Sequence, residues 1–173
     1  MILTKKQCNE IISWYRQYPN GNVRSTPEVC SPRGLHKKRL DYHITLVHRD
    51  STTQWLFDTV EKFLKPDFPD NTASKGEYFY GHEWFEGARF GRHRDKDRSI
   101  LWGLVVGATL NEGYEGGNLI TYEPDGEVAT NIGELYYMHS DQWHEVKEVT
   151  SGTRLSFVYF VTHELLGKSK PLM

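Results

Sequence analysis

Residues 100–110, ILWGLVVGATL, closed by the turn-forming Asn111-Glu112-Gly113, set the reading of the whole chain. The run is short, rich in β-branched and aromatic side chains, and bounded by chain punctuation, which is the pattern of a strand. Outward from it, residues 77–85, 118–122, 134–138, 145–149 and 154–161 have the same texture. They are separated by Glu86-Gly87, Pro124-Asp125-Gly126 and Ser151-Gly152. Several short strands at regular spacing predict a β-sandwich or barrel built from residues 75–163. No internal repeat or low-complexity segment interrupts the pattern.

The first 74 residues read differently. Thr4-Lys5-Lys6-Gln7 has the form of a capping box, and Leu3, Cys8, Ile11, Ile12 and Trp14/Tyr15 follow near-helical spacing. That helix is expected to stop before Pro19-Asn20-Gly21. Residues 20–39, with the basic run from Arg33 to Arg39, read as a long loop of the kind that can cover a substrate. Residues 42–47 predict a short strand with Tyr42, Ile44 and Leu46 on one face. A second helix is expected over 51–64, apolar at Trp55, Leu56, Val60, Phe63 and Leu64, ending ahead of Pro66. The expectation is one domain over 1–173, mainly β with N-terminal helices (α+β), in which 1–74 support the β core.

Composition excludes several classes. The chain has 173 residues, 38% hydrophobic and 13% aromatic, enough for one core and too many for a disordered tail. Lys plus Arg number 21 against 23 Asp plus Glu, a net charge of −2, so a nucleic-acid partner held by excess cations is not favoured. No run of about 18 apolar residues is present, so no membrane span is expected. The N-terminal MILTKKQCNE lacks the apolar stretch of a secretion signal. Two cysteines, Cys8 and Cys30, make no disulfide framework and suit a reducing, cytoplasmic compartment. Nothing in the sequence speaks to oligomeric state.

The chemistry concentrates in the β half. In an extended segment residues i and i+2 share a face, so a His-x-Asp pair can ligate one metal ion. A second, distant His would complete a two-His-one-carboxylate set that leaves open positions on the ion. With eight His and 23 acidic residues in the chain, roughly one such pair is expected by chance. Three occur: His48-Arg49-Asp50, His93-Arg94-Asp95 and His139-Ser140-Asp141. Context chooses among them. Asp50 precedes a predicted helix and has work as its N-cap, and His139/Asp141 come late. His93/Asp95 follow a strand-like run and have a distant partner in His144. Ten residues further, Arg154 and Ser156 alternate on one strand face, a guanidinium fork and a hydroxyl suited to a carboxylate.

Residues 84–160 resemble the Fe(II)/2-oxoglutarate-dependent dioxygenases, in particular the prolyl 4-hydroxylase-like group. Four blocks carry the resemblance: the run from Trp84 to Asp95; Leu110-Asn111 with Tyr114-Glu115-Gly116-Gly117-Asn118-Leu119; Pro124 with Gly133-Glu134-Leu135; and His144-Glu145-Val146 with Val149, then Gly152-Thr153-Arg154-Leu155-Ser156. The resemblance implies a double-stranded β-helix (jelly-roll) core. It implies Fe(II) held by His93, Asp95 and His144, with 2-oxoglutarate and O2 as co-substrates. Arg154 would pair with the distal carboxylate of 2-oxoglutarate and Ser156 would hydrogen-bond it. Members often carry Tyr nine residues before the first His. Trp84 stands there in this chain, as a co-substrate contact or a core aromatic.

The implied activity is hydroxylation of an unactivated C–H bond of a prolyl residue in a peptide or protein, releasing succinate and CO2. Two alternatives are the same oxygenation of a free amino acid or nucleobase, and a non-catalytic β-sandwich binding module. Arg89, Arg92, Arg94, Lys96 and Arg98 cluster beside the ligands, interrupted by Asp95 and Asp97, and read as a solvated loop. Trp143 either lines the pocket or packs. His36, His43, His82 and His163 read as surface or satisfied core residues.

Overall fold

The computed structural model describes residues 1–17, 42–122, 126–128 and 131–167. The expected loop over 20–39, with its basic run, Cys30 and His36, and the Pro124-Asp125 turn lie outside the described residues.

Helix α1 (Lys5–Gln17) starts where the capping box places it. Thr4 Oγ1 accepts the Gln7 N–H at 3.3 Å, and Gln7 Oε1 accepts the Thr4 N–H at 2.9 Å. Its buried stripe is Cys8, Ile11, Trp14 and Tyr15. Helix α2 (Gln54–Leu64) begins three residues later than 51. The Asp50 carboxylate takes the N–H groups of Thr52 and Thr53 at 2.7 and 3.0 Å, so residues 51–53 form a capping turn instead of helix. The Asp of the first His-x-acid pair is thus committed to starting α2. The helix buries Leu56, Phe57, Val60 and Leu64.

The strands are β1 (Tyr42–His48), β2 (Tyr78–Trp84), β3 (Phe90–His93), β4 (Trp102–Thr109), β5 (Glu115–Gly116), β6 (Leu119–Tyr122), β7 (Gly126–Glu127), β8 (Tyr136–His139), β9 (Trp143–Val146), β10 (Val149–Ser151) and β11 (Arg154–Thr162); a last turn of helix, α3 (His163–Leu166), follows. A five-stranded sheet in the order β1-β2-β11-β4-β8 faces a four-stranded sheet, β3-β9-β6-β7, and β10 pairs with β5. Every strand pairing among the described residues is antiparallel. This two-sheet arrangement is a jelly roll with helices added on one side. Among the described residues no helix is long and apolar enough to cross a membrane.

The five-stranded sheet is covered on both faces. Val47, Phe79, Leu104, Val106, Ala108, Phe157, Tyr159 and Val161 point to the helices and form the main core with Trp14, Phe57 and Leu64. Each fully buried Val, Leu or Phe among them contributes about 1.5–3 kcal/mol. Gly81 lets Tyr15 lie flat on this face, since a Cβ there would stand 2.1 Å from the Tyr15 ring. The alternation in β1 is real, but its most buried face is Thr45 and Val47, under the helices, and Ile44 turns to the opposite face.

The stretch 145–149, expected as one strand, divides. Lys147 bonds to the Asn118 carbonyl and Val149 to that of Ala88, so the chain turns between β9 and β10. The turn buries Val149 beside Trp84, Ala88 and Phe90 in a second, smaller core.

Candidate metal centre and anion pocket

Between the two sheets lies a cavity of about 330 Å³, and its floor follows from strand register. On the face of the five-stranded sheet away from the helices, Trp84 stands beside Arg154, and His82 beside Ser156 and Thr109. Tyr80 stands beside Val158, Gly107 and Tyr136, and Phe160 beside Val105 and Met138. Polar groups therefore crowd one end of the floor and apolar groups the other. The opposite wall is Phe90, Leu119, His144 and Val146.

His93 and His144 are registered partners on β3 and β9. Arg94 is extended, φ −124° and ψ 137°, which turns Asp95 to the face of His93 even though a 3₁₀ turn starts at Asp95. The carboxylate sits between the two rings: His93 Nε2 is 3.4 Å from Asp95 Oδ1, and His144 Nε2 is 3.5 Å from Asp95 Oδ2. Asp95 and His144 are each 4% exposed. Both rings turn Nδ1 to the main-chain carbonyl two residues back, Gly91 at 2.7 Å and Gln142 at 2.9 Å. A carbonyl only accepts, so Nδ1 carries the proton and Nε2 keeps its lone pair toward Asp95. Burial pushes His144 below its ordinary pKa, against the pull of Asp95, and so favours the neutral ligand form.

This donor set fits a divalent transition metal. Two neutral imidazole nitrogens and one carboxylate, each about 2.1 Å from a common ion, would stand about 3 Å apart as neighbouring ligands, and the oriented Nδ1–H groups supply the usual outer support. The three residues could hold a metal ion.

Arg154, 4% exposed, reaches into the polar end, where its Nη2 donates to Thr109 Oγ1 at 3.0 Å. Among the described residues no carboxylate lies within ion-pair distance of it. A buried guanidinium with no anion is costly, so its surroundings suit a carboxylate arriving from outside. The Leu110-Asn111 and Gly116-Gly117 blocks serve this residue. Asn111 accepts the Leu155 N–H at 2.7 Å and donates to the Thr153 carbonyl at 2.8 Å, pinning the start of β11. Gly117, at φ 69°, runs beside the arginine stem, where a Cβ would be 3.0 Å from Arg154 Cδ. Trp84 is buried and donates its indole N–H to Ser156 Oγ at 3.2 Å. It lines the cavity and holds the serine.

Three residues of this floor carry no sequence motif: Thr109, Tyr136 and His82. His82 is not a surface residue but lines the cavity; burial, with the Arg154 charge next in weight, pushes it down to about 3, so it is neutral. Alternation from Val105 along the quoted strand would have placed Thr109 on this face. The basic cluster resolves into local pairs. Arg92 lies over Tyr122 and Trp143, Arg94 lies over Trp143 and pairs with Asp97, and Lys96 stands 3.7 Å from Asp141. Trp143 thus points away from the cavity, while Arg98 lines it over Phe90. His139 joins no metal-ligating group among the described residues.

No protein-family model and no curated protein sequence matches the chain. Solved structures do. A Pseudomonas putida prolyl-4-hydroxylase superposes with a TM-score of 0.67 at 19% identity, covering 94% of this chain and 89% of that one. A Burkholderia pseudomallei oxidoreductase of the 2OG-Fe(II) oxygenase family gives 0.66 at 15% identity over 91% and 79%. A Trichoplax adhaerens prolyl hydroxylase, in complex with a hypoxia inducible factor oxygen degradation domain peptide fragment, gives 0.64 at 16% identity over 95% and 82%. The chain therefore has the fold of the 2OG-Fe(II) oxygenases, with a His-Asp-His cluster in its cavity. Within that class the matched structures include prolyl hydroxylases.

Proposed function

We propose that the chain is an Fe(II)- and 2-oxoglutarate-dependent oxygenase that hydroxylates a prolyl residue of a peptide or protein. The observation that carries the reading is one cavity holding two complementary vacancies of charge: a buried His93/Asp95/His144 cluster suited to a cation, and a buried Arg154 suited to an anion. A 2-oxo dicarboxylate answers both, one end on the metal and the other on the guanidinium. Bound together, Fe(II) and 2-oxoglutarate supply the oxidation of an unactivated C–H bond by O2, with release of succinate and CO2.

The chain's own residues do the rest. His93, Asp95 and His144 hold the ion, with Asp95 supplying the negative charge. Arg154 neutralises the distal carboxylate, Thr109 braces the guanidinium, and Ser156, steadied by Trp84, offers a hydroxyl beside it. Phe90, Leu119, Met138 and Val146 keep water from the reacting end. The prolyl substrate is supported by the prolyl hydroxylases among the structural matches, one of them bound to a peptide.

The test titrates Fe(II) and 2-oxoglutarate into the protein and follows succinate. Proline-containing peptides, free amino acids and oligonucleotides are then compared by mass spectrometry. Succinate coupled to a peptide heavier by one oxygen at proline is expected. Coupling to a free amino acid or nucleobase alone would replace the substrate, and no succinate with any of them would remove the enzyme.

A further inference from the structure

The basic cluster around the candidate metal ligands leaves one member unaccounted for. Arg94 and Lys96 stand beside Asp97 and Asp141, and Arg92 lies outside the cavity over Tyr122 and Trp143. Arg98 differs from all three. It is exposed, it lines the cavity, and among the described residues no carboxylate lies within ion-pair distance of it.

A stack of rings fixes where that charge sits. The Arg98 guanidinium lies over the Phe90 ring at 4.7 Å, Phe90 packs on His93 at 4.2 Å, and His93 on His144 at 4.2 Å. A single ring thus separates the guanidinium from His93. Contact with a ring face uses none of the five N–H donors, so the fork remains available to an acceptor. Two guanidinium groups therefore line the cavity, and their exposure divides their work. Arg154 is 4% exposed and bonded to Thr109, placed for a ligand already inside. Arg98 stands at the opening, where it meets whatever approaches the metal end from solvent.

The opening also has a direction. Tyr80, Trp102 and Phe160 line both this cavity and an adjoining groove of about 580 Å³. Trp102 stacks on Phe160 at 4.0 Å, and Tyr80 meets the same ring edge-on at 5.4 Å, all three partly exposed. The groove extends well past the cavity, which suits an extended chain better than a single amino acid. Its own charged residues, Lys75, Glu77 and Glu164, do not line the metal cavity. Positive charge is thus offered at the mouth, and two carboxylates beside one ammonium further out.

We infer that Arg98 selects a peptide substrate carrying an acidic residue close to the target proline, by pairing with that carboxylate at the cavity mouth. An extended chain advances about 3.3 Å per residue, so an acid within two positions of the proline comes within reach of the guanidinium. The inference rests on the peptide hydroxylase reading given above and adds a specificity-determining residue to it.

The experiment measures binding of labelled proline peptides to protein loaded with Mn(II) and 2-oxoglutarate, by fluorescence anisotropy. Three peptides carry Asp, Asn or Lys beside the target proline, and a fourth carries Asn there with the Asp moved to the far end. Wild type should bind the Asp peptide roughly 10-fold tighter than the Asn peptide and should bind the fourth no tighter than the Asn one. Arg98→Gln should bind the Asp and Asn peptides equally, and Arg98→Glu should prefer the Lys peptide. Both variants should keep the thermal midpoint of the unliganded wild type, because the residue is exposed. Equal affinity of wild type for the Asp and Asn peptides overturns the selection, and so does a preference that survives in Arg98→Gln. A fourth peptide bound as tightly as the Asp peptide overturns its placement beside the proline. Displacement of the Asn peptide by free proline in wild type but not in Arg98→Gln would assign the guanidinium to an amino acid's own carboxylate and overturn the peptide. If the iron-loaded wild type releases no succinate with any of the four peptides, the functional reading itself falls, and this inference with it.

Discussion

The two faces of the five-stranded sheet are made by the same strands and obey opposite rules. On β11, Leu155, Phe157, Tyr159 and Val161 turn to the helices, while Arg154, Ser156, Val158 and Phe160 turn to the cavity. On the helix face the polar atoms of large side chains find partners in the protein: Tyr15 donates to the Ser156 carbonyl and Tyr159 to that of Ala73, each at 2.8 Å. On the cavity face a buried guanidinium, bonded to Thr109, and a buried carboxylate between two imidazoles have, among the described residues, no ion-pair partner in an opposite fixed charge. The helix face is built for stability, and the cavity face holds unmet polar potential that only a ligand can answer. Substitutions should separate the two faces cleanly.

The largest effect belongs to the cation end. Asp95→Ala or His93→Ala should abolish metal binding and all metal-dependent uptake of 2-oxoglutarate, while circular dichroism of the metal-free protein stays that of the wild type. Tight metal binding by either variant, followed by calorimetry, would break the assignment. Next is the helix face: Phe157→Ala removes a fully buried ring packed on Phe79 and should cost about 3–5 kcal/mol of stability in urea denaturation. Any residual folded protein should keep its ligand affinity, because nothing on the cavity face has changed.

Arg154→Met reverses that pattern. It removes a buried charge that has no carboxylate within ion-pair distance among the described residues, so stability should hold or rise. Affinity for 2-oxoglutarate should drop roughly 100-fold with the loss of a charge-assisted, two-pronged contact. A loss of stability without a loss of affinity would make Arg154 a structural residue and merge the two faces.

These contrasts also mark what the sequence could disclose. The quoted strand, its neighbours over 77–85 and 154–161, and the capping box at Thr4 were legible because alternation and local hydrogen bonds act within one segment. Strands β5 and β7, two residues each, carry no period to detect. The cluster of His93, Asp95 and His144 that could hold a metal ion was legible from the His93-Arg94-Asp95 spacing and a distant His144, and the cavity-facing Arg154 from its alternation with Ser156. Thr109, His82 and Tyr136 were not, because they join the site through the order β2-β11-β4-β8, which brings residues from four separated segments into adjoining rows. Sequence position fixes which face a side chain takes, while its neighbours on that face depend on strand order.

The smallest effect concerns acid. An unfolded histidine takes its proton near pH 6.5, whereas His82, desolvated and beside Arg154, does so only near 3. Between those values the unfolded chain holds the extra proton. Stability is therefore complete above about pH 6.5 and falls as pH drops toward 3. At pH 5 the difference is about 2 kcal/mol on the full shift, and about 1 kcal/mol once cavity water screens part of it. His144, also pushed down by burial, adds in the same direction, so the contribution of His82 must be isolated by substitution. In the metal-free protein, the loss of stability from pH 7.5 to pH 5 should be smaller by about 1 kcal/mol in His82→Asn than in the wild type, read from urea midpoints at each pH. Phe79 and Phe157, on the other face of the same two strands, have nothing to protonate in this range. An unchanged slope in His82→Asn would mean that the acid sensitivity of the cavity face resides in the His144 end instead.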